Sequence, residues 1–354
     1  MIRVLVAALS QTERDALARV LRSDAGIEVV GSAGDGAETV RLTRQLKPHV
    51  VAMGVLENGV ESAEEVDGLE ATRRIMANTP TPIVVALPPT HADREQRVAA
   101  LLAAGAVAAL TRTEPGEREL LDTIKAMAHV KVVGQRLRRS SSRPSKAPLE
   151  QGVGVIAIAA STGGPHALSR VLKPLPRDLP VPVVIVQHLS AGFVRGFAHW
   201  LKELCALDVR LVDRTLRLRP GVAYLAPDGA HLRVARSTLS YPSARGELPY
   251  SLVLSDGPVH EGFRPSASVL FESVAEAFGP RALAVILTGM GRDGFSGLQR
   301  VHAAGGCIIA QDRHTSVVFG MPSMAVEGGL ADHVLPVDQI APRILDLVST
   351  REQR

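Results

Sequence analysis

The strongest constraint on this chain is a rhythm: short apolar runs alternate with amphipathic stretches, first over residues 3–128 and again from residue 153 onward. Short continuous apolar runs suit strands buried on both faces, and longer stretches with one apolar face suit the helices that cover them. In the first series the runs are Arg3–Ala8, Ile27–Gly31, His49–Met53, Ile83–Ala86 and Ala106–Leu110. Helical patterns separate or follow them at Gln11–Ser23, Ala37–Gln45, Gly68–Ala77, Arg94–Ala104 and Pro115–Ala128. This alternation predicts a five-stranded parallel sheet with helices on both faces. The second series has Val153–Ala160, Val181–Gln187 and Ala282–Thr288, with further parallel strands expected at Gly306–Gln311 and Val334–Pro336. Val222–Ala226, Leu232–Val234 and Ser251–Leu254 predict a short hairpin excursion. The fold class is α/β twice over, the second domain doubly wound and mainly parallel.

Between the two series, Arg136–Pro148 is rich in Ser, Pro and positive charge and has no apolar period. Such a segment buries too little surface to offset its ordering entropy, so it reads as a solvated tether, with a nucleic-acid-binding arm as the alternative. A net charge of +4 over 354 residues favours the tether. The expected domains are therefore 1–128, a linker over 129–150, and 151–350. All seven Phe, three Tyr and the one Trp lie at or after Phe193, so the first domain must build its core from aliphatic residues. A hydrophobic content of 46% excludes wholesale disorder, and two cysteines exclude a disulfide framework or a cysteine-based zinc site. The N-terminal apolar stretch is too short for a signal peptide, and no window approaches the ~18 apolar residues of a membrane helix. A soluble, cytoplasmic protein with no membrane insertion and no nucleic-acid partner is expected.

In a doubly wound sheet, chemistry sits outside the carboxyl ends of the strands. Three reactive side chains follow the long apolar runs of the second domain: Ser161 in Ala159–Pro165, His188 in Val186–Gly192, and Asp293 in Leu287–Gly294. A serine next to an imidazole whose tautomer is fixed by a carboxylate is an activated nucleophile. Each residue also has a plainer reading. Ser161-Thr-Gly-Gly164 at a helix start could cradle an anion on backbone N–H groups. His188 could be a structural histidine, with His166, His231 and His260 as rivals. Asp293, flanked by Gly291 and Gly294, could be a turn or cap residue, with Asp228 and Asp256 as rival acids. The order Ser, His, Asp differs from that of the familiar hydrolase folds, which does not count against the chemistry because triads recur on unrelated scaffolds.

Several motifs occur together in order: Ala159-Ala-Ser-Thr-Gly-Gly-Pro165, Gln187-His188 with Ala191-Gly-Phe193, Arg264-Pro-Ser266, Leu287-Thr-Gly-Met-Gly-Arg-Asp-Gly294 and Val318-Phe-Gly-Met-Pro322. Together they resemble the chemotaxis methylesterases of the CheB family, over essentially the whole chain. The resemblance implies a protein-glutamate methylesterase acting on the cytoplasmic helices of methyl-accepting chemoreceptors, releasing methanol, with deamidation of receptor glutamines as a second activity. It implies Ser161 as nucleophile, His188 as general base and acid, and Asp293 as the orienting carboxylate. Met290 is implied as an oxyanion-hole donor through its backbone N–H, and Thr162 lines the same pocket by adjacency. No cofactor or metal is implied. One departure is Ser268, where related sequences usually carry an acid. Two other readings remain open, a non-catalytic signalling scaffold and the same hydrolytic chemistry on a different ester.

The same resemblance makes the first domain receiver-like, with a flavodoxin-like sheet. Phosphoryl transfer to aspartate needs a carboxylate-built Mg²⁺ site, an acceptor Asp, a hydroxyl and a Lys. At the corresponding strand ends this chain has Ala7 and Ala8 for the acidic pair, Gly54 for the acceptor, Leu87 for the hydroxyl, Arg112 for the Lys, and Ala109 for the switch aromatic. Glu57, Glu61, Glu64 and Glu65 read as a solvated acidic loop rather than as substitutes. A pseudo-receiver with no phosphoacceptor is expected, controlled by an unidentified regulatory protein if it is controlled at all.

Overall fold

A computed structural model describes residues 1–56, 66–88, 94–111, 116–128, 152–238 and 246–349. The chain divides into two compact units, Met1–Leu137 and Arg138–Arg354. The linker expected over 129–150, Arg112 and the acidic residues 57–65 lie outside the described residues.

The first unit runs β1 (Ile2–Ala7), α1 (Gln11–Arg22), β2 (Ile27–Ala33), α2 (Gly36–Leu46), β3 (Val50–Met53), α3 (Gly68–Asn78), β4 (Ile83–Leu87), α4 (Arg94–Ala104), β5 (Ala108–Thr111) and α5 (Gly116–Ala128). The strands form one parallel sheet in the order β2-β1-β3-β4-β5. This is the flavodoxin-like order, as expected. Val50 to Met53 and Ile83 to Leu87 are buried throughout, which is why they read as uninterrupted apolar runs. Asp35 and Asp67 start α2 and α3, accepting from the N–H groups of Glu38 and Glu70, each at 2.7 Å.

The second unit continues with β6 (Val155–Ala160), α6 (Gly164–Leu172), β7 (Val183–Gln187), α7 (Val194–Leu204), β8 (Asp208–Leu211), β9 (Leu216–Arg217), β10 (Val222–Leu225), β11 (His231–Arg236) and β12 (Tyr250–Ser255). Then follow α8 (Ala267–Phe278), β13 (Ala282–Ile286), α9 (Phe295–Ala303), β14 (Cys307–Gln311), α10 (Met321–Glu327), β15 (His333–Leu335) and α11 (Val337–Ser349). Seven strands build a wholly parallel sheet in the order β15-β14-β13-β6-β7-β10-β8. β11, β12 and β9 form a separate antiparallel sheet.

One expectation needs correction, and one strand went unread. Val222–Ala226 does not belong to the hairpin excursion: β10 pairs in parallel with β7 and β8. All four of its residues are buried, the mark of a strand covered on both faces. The hairpin is β11–β12 alone, extended by β9. β8 escapes sequence reading because Asp208-Val-Arg-Leu211 lies at the sheet edge and exposes part of its length.

β6 sits between β7 and β13, and the chain leaves it towards β7 but returns on the other side as β13. That reversal is the topological switch point, where loops part and leave a crevice. Tyr224, Phe197 and Phe271 are fully buried in this unit, giving it the aromatic core the first unit lacks.

Candidate active site

Ser161 is the first residue beyond β6. Its N–H donates to the Thr288 carbonyl at 3.0 Å, so the pairing with the β13 side carries on past the strand end. Its own carbonyl accepts from Gly164 N–H at 2.8 Å, turning the chain into α6. Gly163, at φ 75°, makes that turn, and a Cβ there would lie 2.6 Å from Val317. His188 is the first residue beyond β7, its N–H donating to the Ala160 carbonyl at 3.0 Å. The nucleophile candidate and the base candidate are thus held on adjacent strand ends by the sheet's own ladder.

Asp293 lies on the loop between β13 and α9. Gly291 and Gly294, at φ 87° and 99°, bend this loop. The carboxylate is only 1% exposed and faces the start of α8. Its Oδ1 accepts from Ser266 Oγ at 2.7 Å and Ser268 N–H at 3.1 Å, and its Oδ2 from Ala267 N–H at 2.7 Å. The positive end of the α8 dipole adds to these bonds. Burial pushes the Asp293 carboxyl up, but the His188 ring and the bonds from Ala267 and Ser266 outweigh it and hold the group below the usual carboxylate range.

His188 Nε2 stands 2.9 Å from Asp293 Oδ2. The ring lies flat against Phe263, with centroids 3.9 Å apart and planes 4° from parallel. Both ring nitrogens are buried and neither has an aligned hydrogen-bond partner among the described residues, so Ser161 Oγ and His188 are not bonded in this conformation. Among the rivals, His231 is buried with both nitrogens engaged, Nδ1 accepting from Ser266 N–H at 3.2 Å and Nε2 bonding the Pro258 carbonyl at 3.0 Å. Asp228 accepts from Gly192 N–H at 2.8 Å, shaping the loop after His188, and Asp256 is exposed.

Met290 is 47% exposed beside the site. Its neighbour Gly289 passes so close to the serine that a Cβ there would lie 2.8 Å from Ser161 Cβ and 2.3 Å from Met321 Sδ. The segment 318–321 clamps this loop: Gly289 N–H donates to the Val318 carbonyl at 3.0 Å, and the Gly289 carbonyl accepts from Gly320 and Met321 at 3.1 and 2.9 Å. The Thr162 carbonyl accepts from Thr288 Oγ1 at 2.9 Å. Ser268 is fully buried, and its Oγ accepts from Gly294 N–H at 2.9 Å, bracing the Asp293 loop.

Sequence reasoning gave no role to Phe263, Thr288, Ser266 or Gln187, and raised His231 only as a rival to His188. Ser266 and Gln187 stood inside the recognised motifs, but nothing local in the sequence says which distant group they touch.

In the first unit, Gly54 follows β3 at the expected acceptor position. A Cβ there would lie 2.6 Å from Glu13 Oε1 and 3.0 Å from Ala8 Cβ. Glu13, on α1, also takes the Val55 N–H at 3.4 Å. Leu87, where a hydroxyl was sought, is buried at the end of β4.

Residues 156–344 match the CheB methylesterase family. The chain is 43% identical over 358 residues, 97% of its own length and 96% of the relative's, to protein-glutamate methylesterase/protein-glutamine glutaminase 4 of Myxococcus xanthus. It is 40% identical, over 100% of its length and 98% of the relative's, to the protein-glutamate methylesterase/protein-glutamine glutaminase of the group 3 operon of Rhizobium meliloti. The crystal structure of the Thermotoga maritima CheB methylesterase catalytic domain superposes with a TM-score of 0.51 at 35% identity, covering 55% of this chain and 99% of that one. With a match over more than half the chain and relatives this similar along its full length, the protein belongs to the CheB methylesterase family.

Proposed function

We propose that this protein is a serine hydrolase that demethylates glutamate methyl esters on chemoreceptor helices and deamidates receptor glutamines. The observation that carries the chemistry is the buried His188–Asp293 pair, 2.9 Å apart at a sheet switch point, with Ser161 on the neighbouring strand end. The names of the relatives carry the substrate class.

Asp293 Oδ2 lies 2.9 Å from Nε2 and favours the tautomer protonated there, so that Nδ1 takes the proton of Ser161 once the ring aligns for reaction. Ser161 Oγ attacks the ester carbonyl as its proton passes to His188. The imidazolium, paired with a carboxylate already held ionised, returns the proton to the departing methoxide, and methanol leaves. Water then attacks the acyl-enzyme with His188 again as base, freeing the glutamate carboxylate and Ser161. For a glutamine the leaving group is ammonia and the steps are otherwise the same. The Met290 N–H is the proposed donor to the developing oxyanion, and Thr162, next to Ser161, lines the same pocket. Such a donor contributes typically ~3 kcal/mol to the transition state. Gly289 brings this loop against the serine because it has no side chain to hold it off.

The first unit is a receiver scaffold outside conventional aspartyl control. Gly54 has no carboxylate, and the Glu13 carboxylate lies where an acceptor side chain would begin. An unidentified protein partner at this unit is the remaining route of control.

The test is methanol release from membranes bearing methylated chemoreceptors. The intact protein should release methanol, and Ser161→Ala should lose ~10³-fold or more. Undiminished release by the variant would remove Ser161 as nucleophile. Hydrolysis of simple methyl esters without action on receptors would remove the substrate assignment.

A further inference from the structure

Gln187 ends β7 with its side chain turned into the protein, 3% exposed. Its Nε2 donates to two carbonyls, that of Ser161 at 2.9 Å and that of His188 at 2.8 Å. These belong to the nucleophile and the base of the reaction proposed above. With two acceptors to satisfy, only the NH₂ end of the amide can face them, which fixes its orientation. The Oε1 end is buried and has no hydrogen-bond partner among the described residues. It lies so close to the start of α6 that a Cβ on Gly164 would stand 2.0 Å from it. A glycine at 164 therefore makes room for this amide.

An unpaired buried amide oxygen costs stability, and an apolar side chain of the same shape would avoid that cost. A buried amide that leaves its own oxygen unpaired while tying two reactive residues together fits a site where side-chain satisfaction is traded for geometry. We infer that Gln187 is a positioning residue: its amide fixes the spacing of the Ser161 and His188 backbones, and with it the path for proton transfer. This inference rests on the proposed serine-hydrolase reading.

The test uses the full chain with Gln187→Met and Gln187→Glu, measuring methanol release and thermal unfolding. Gln187→Met removes both donations and the unpaired oxygen. It should lower kcat about 10- to 100-fold at temperatures where the variant is fully folded, the scale of a small misplacement of reacting groups, with KM within about twofold of the parent; any fall in Tm from the carbonyls left without a donor is a separate effect. Gln187→Glu is close in shape, but its carboxylate cannot donate, whereas the protonated acid regains one donor. Its activity relative to the parent protein should therefore rise as pH is lowered. The ionisable groups here are His188, which adjoins residue 187, and Asp293 beyond it; both are present in the two proteins, so a pH-dependent ratio reports the carboxyl at 187, directly or through its effect on the His188 ring. A Gln187→Met kcat within twofold of the parent would overturn the inference. So would loss of kcat in step with Tm, or a Gln187→Glu ratio that stays flat with pH. If Ser161→Ala keeps its activity, the underlying reading fails instead, whatever the Gln187 variants do.

Discussion

The Asp293 carboxylate accepts three hydrogen bonds from the start of α8 and stands against the His188 ring, so its shape and its charge can be separated by substitution. Asn at this position keeps the shape but loses the charge that stabilises an imidazolium. Asp293→Asn is expected to lower kcat by ~10³–10⁴-fold, as in other triads, with a much smaller change in KM. The same carboxylate ties stability to pH. Its folded value lies below its ordinary one, so its contribution is complete above the unfolded value of ~3.9 and is lost as pH falls through the lower, folded value. A Tm profile in acid should show this loss in the parent and a shallower one in Asp293→Asn. Equal slopes would mean that the α8 bonds to the carboxylate contribute little. The contacts of these residues were the least legible in the sequence. The Phe263–His188 stack and the two bonds from Gln187 join segments brought together only by the fold, and no periodicity encodes them. Ser161, His188 and Asp293 could be singled out because each follows a buried run at a strand end.

At the scale of elements, the buried parallel strands were readable because covering both faces forces continuous apolar sequence, as in β4, β6, β7 and β13. The errors fell where that rule weakens. Edge strand β8 is partly polar, and β9 has only two residues. β10 is fully buried but stands in the chain beside the hairpin strands, and sequence neighbourhood misassigned it. The small antiparallel sheet supports the site from outside. His231, at the start of β11, accepts from Ser266 N–H, and Ser266 in turn donates to Asp293. The Thr288–Gly291 loop has a matching support in the 318–321 segment. The reason for a glycine at 289 is steric: Ser161 and Met321 leave no room for a side chain.

For the whole molecule, two α/β units share one chain but differ in what their strand ends carry. The second presents Ser, His and Asp beside its switch point; the first presents Ala7, Ala8 and Gly54 where a phosphoacceptor site would need carboxylates. Among the described residues no helix is long and apolar enough to cross a membrane. Incubation with acetyl phosphate and Mg²⁺ should leave residues 1–128 unmodified, read by intact-mass measurement and by sensitivity to hydroxylamine. A hydroxylamine-labile phosphoaspartate there would overturn the pseudo-receiver reading.

In the proposed reaction Ser161 Oγ forms the covalent bond of the acyl-enzyme, and His188 activates it. A fluorophosphonate that arrests serine hydrolases, followed by peptide mapping, tests it most directly. One stoichiometric adduct on Ser161 is expected, with methanol release abolished in the labelled protein and labelling slowed at least ~10²-fold in His188→Ala. An adduct on another residue, or full methanol release by protein labelled at Ser161, would contradict it.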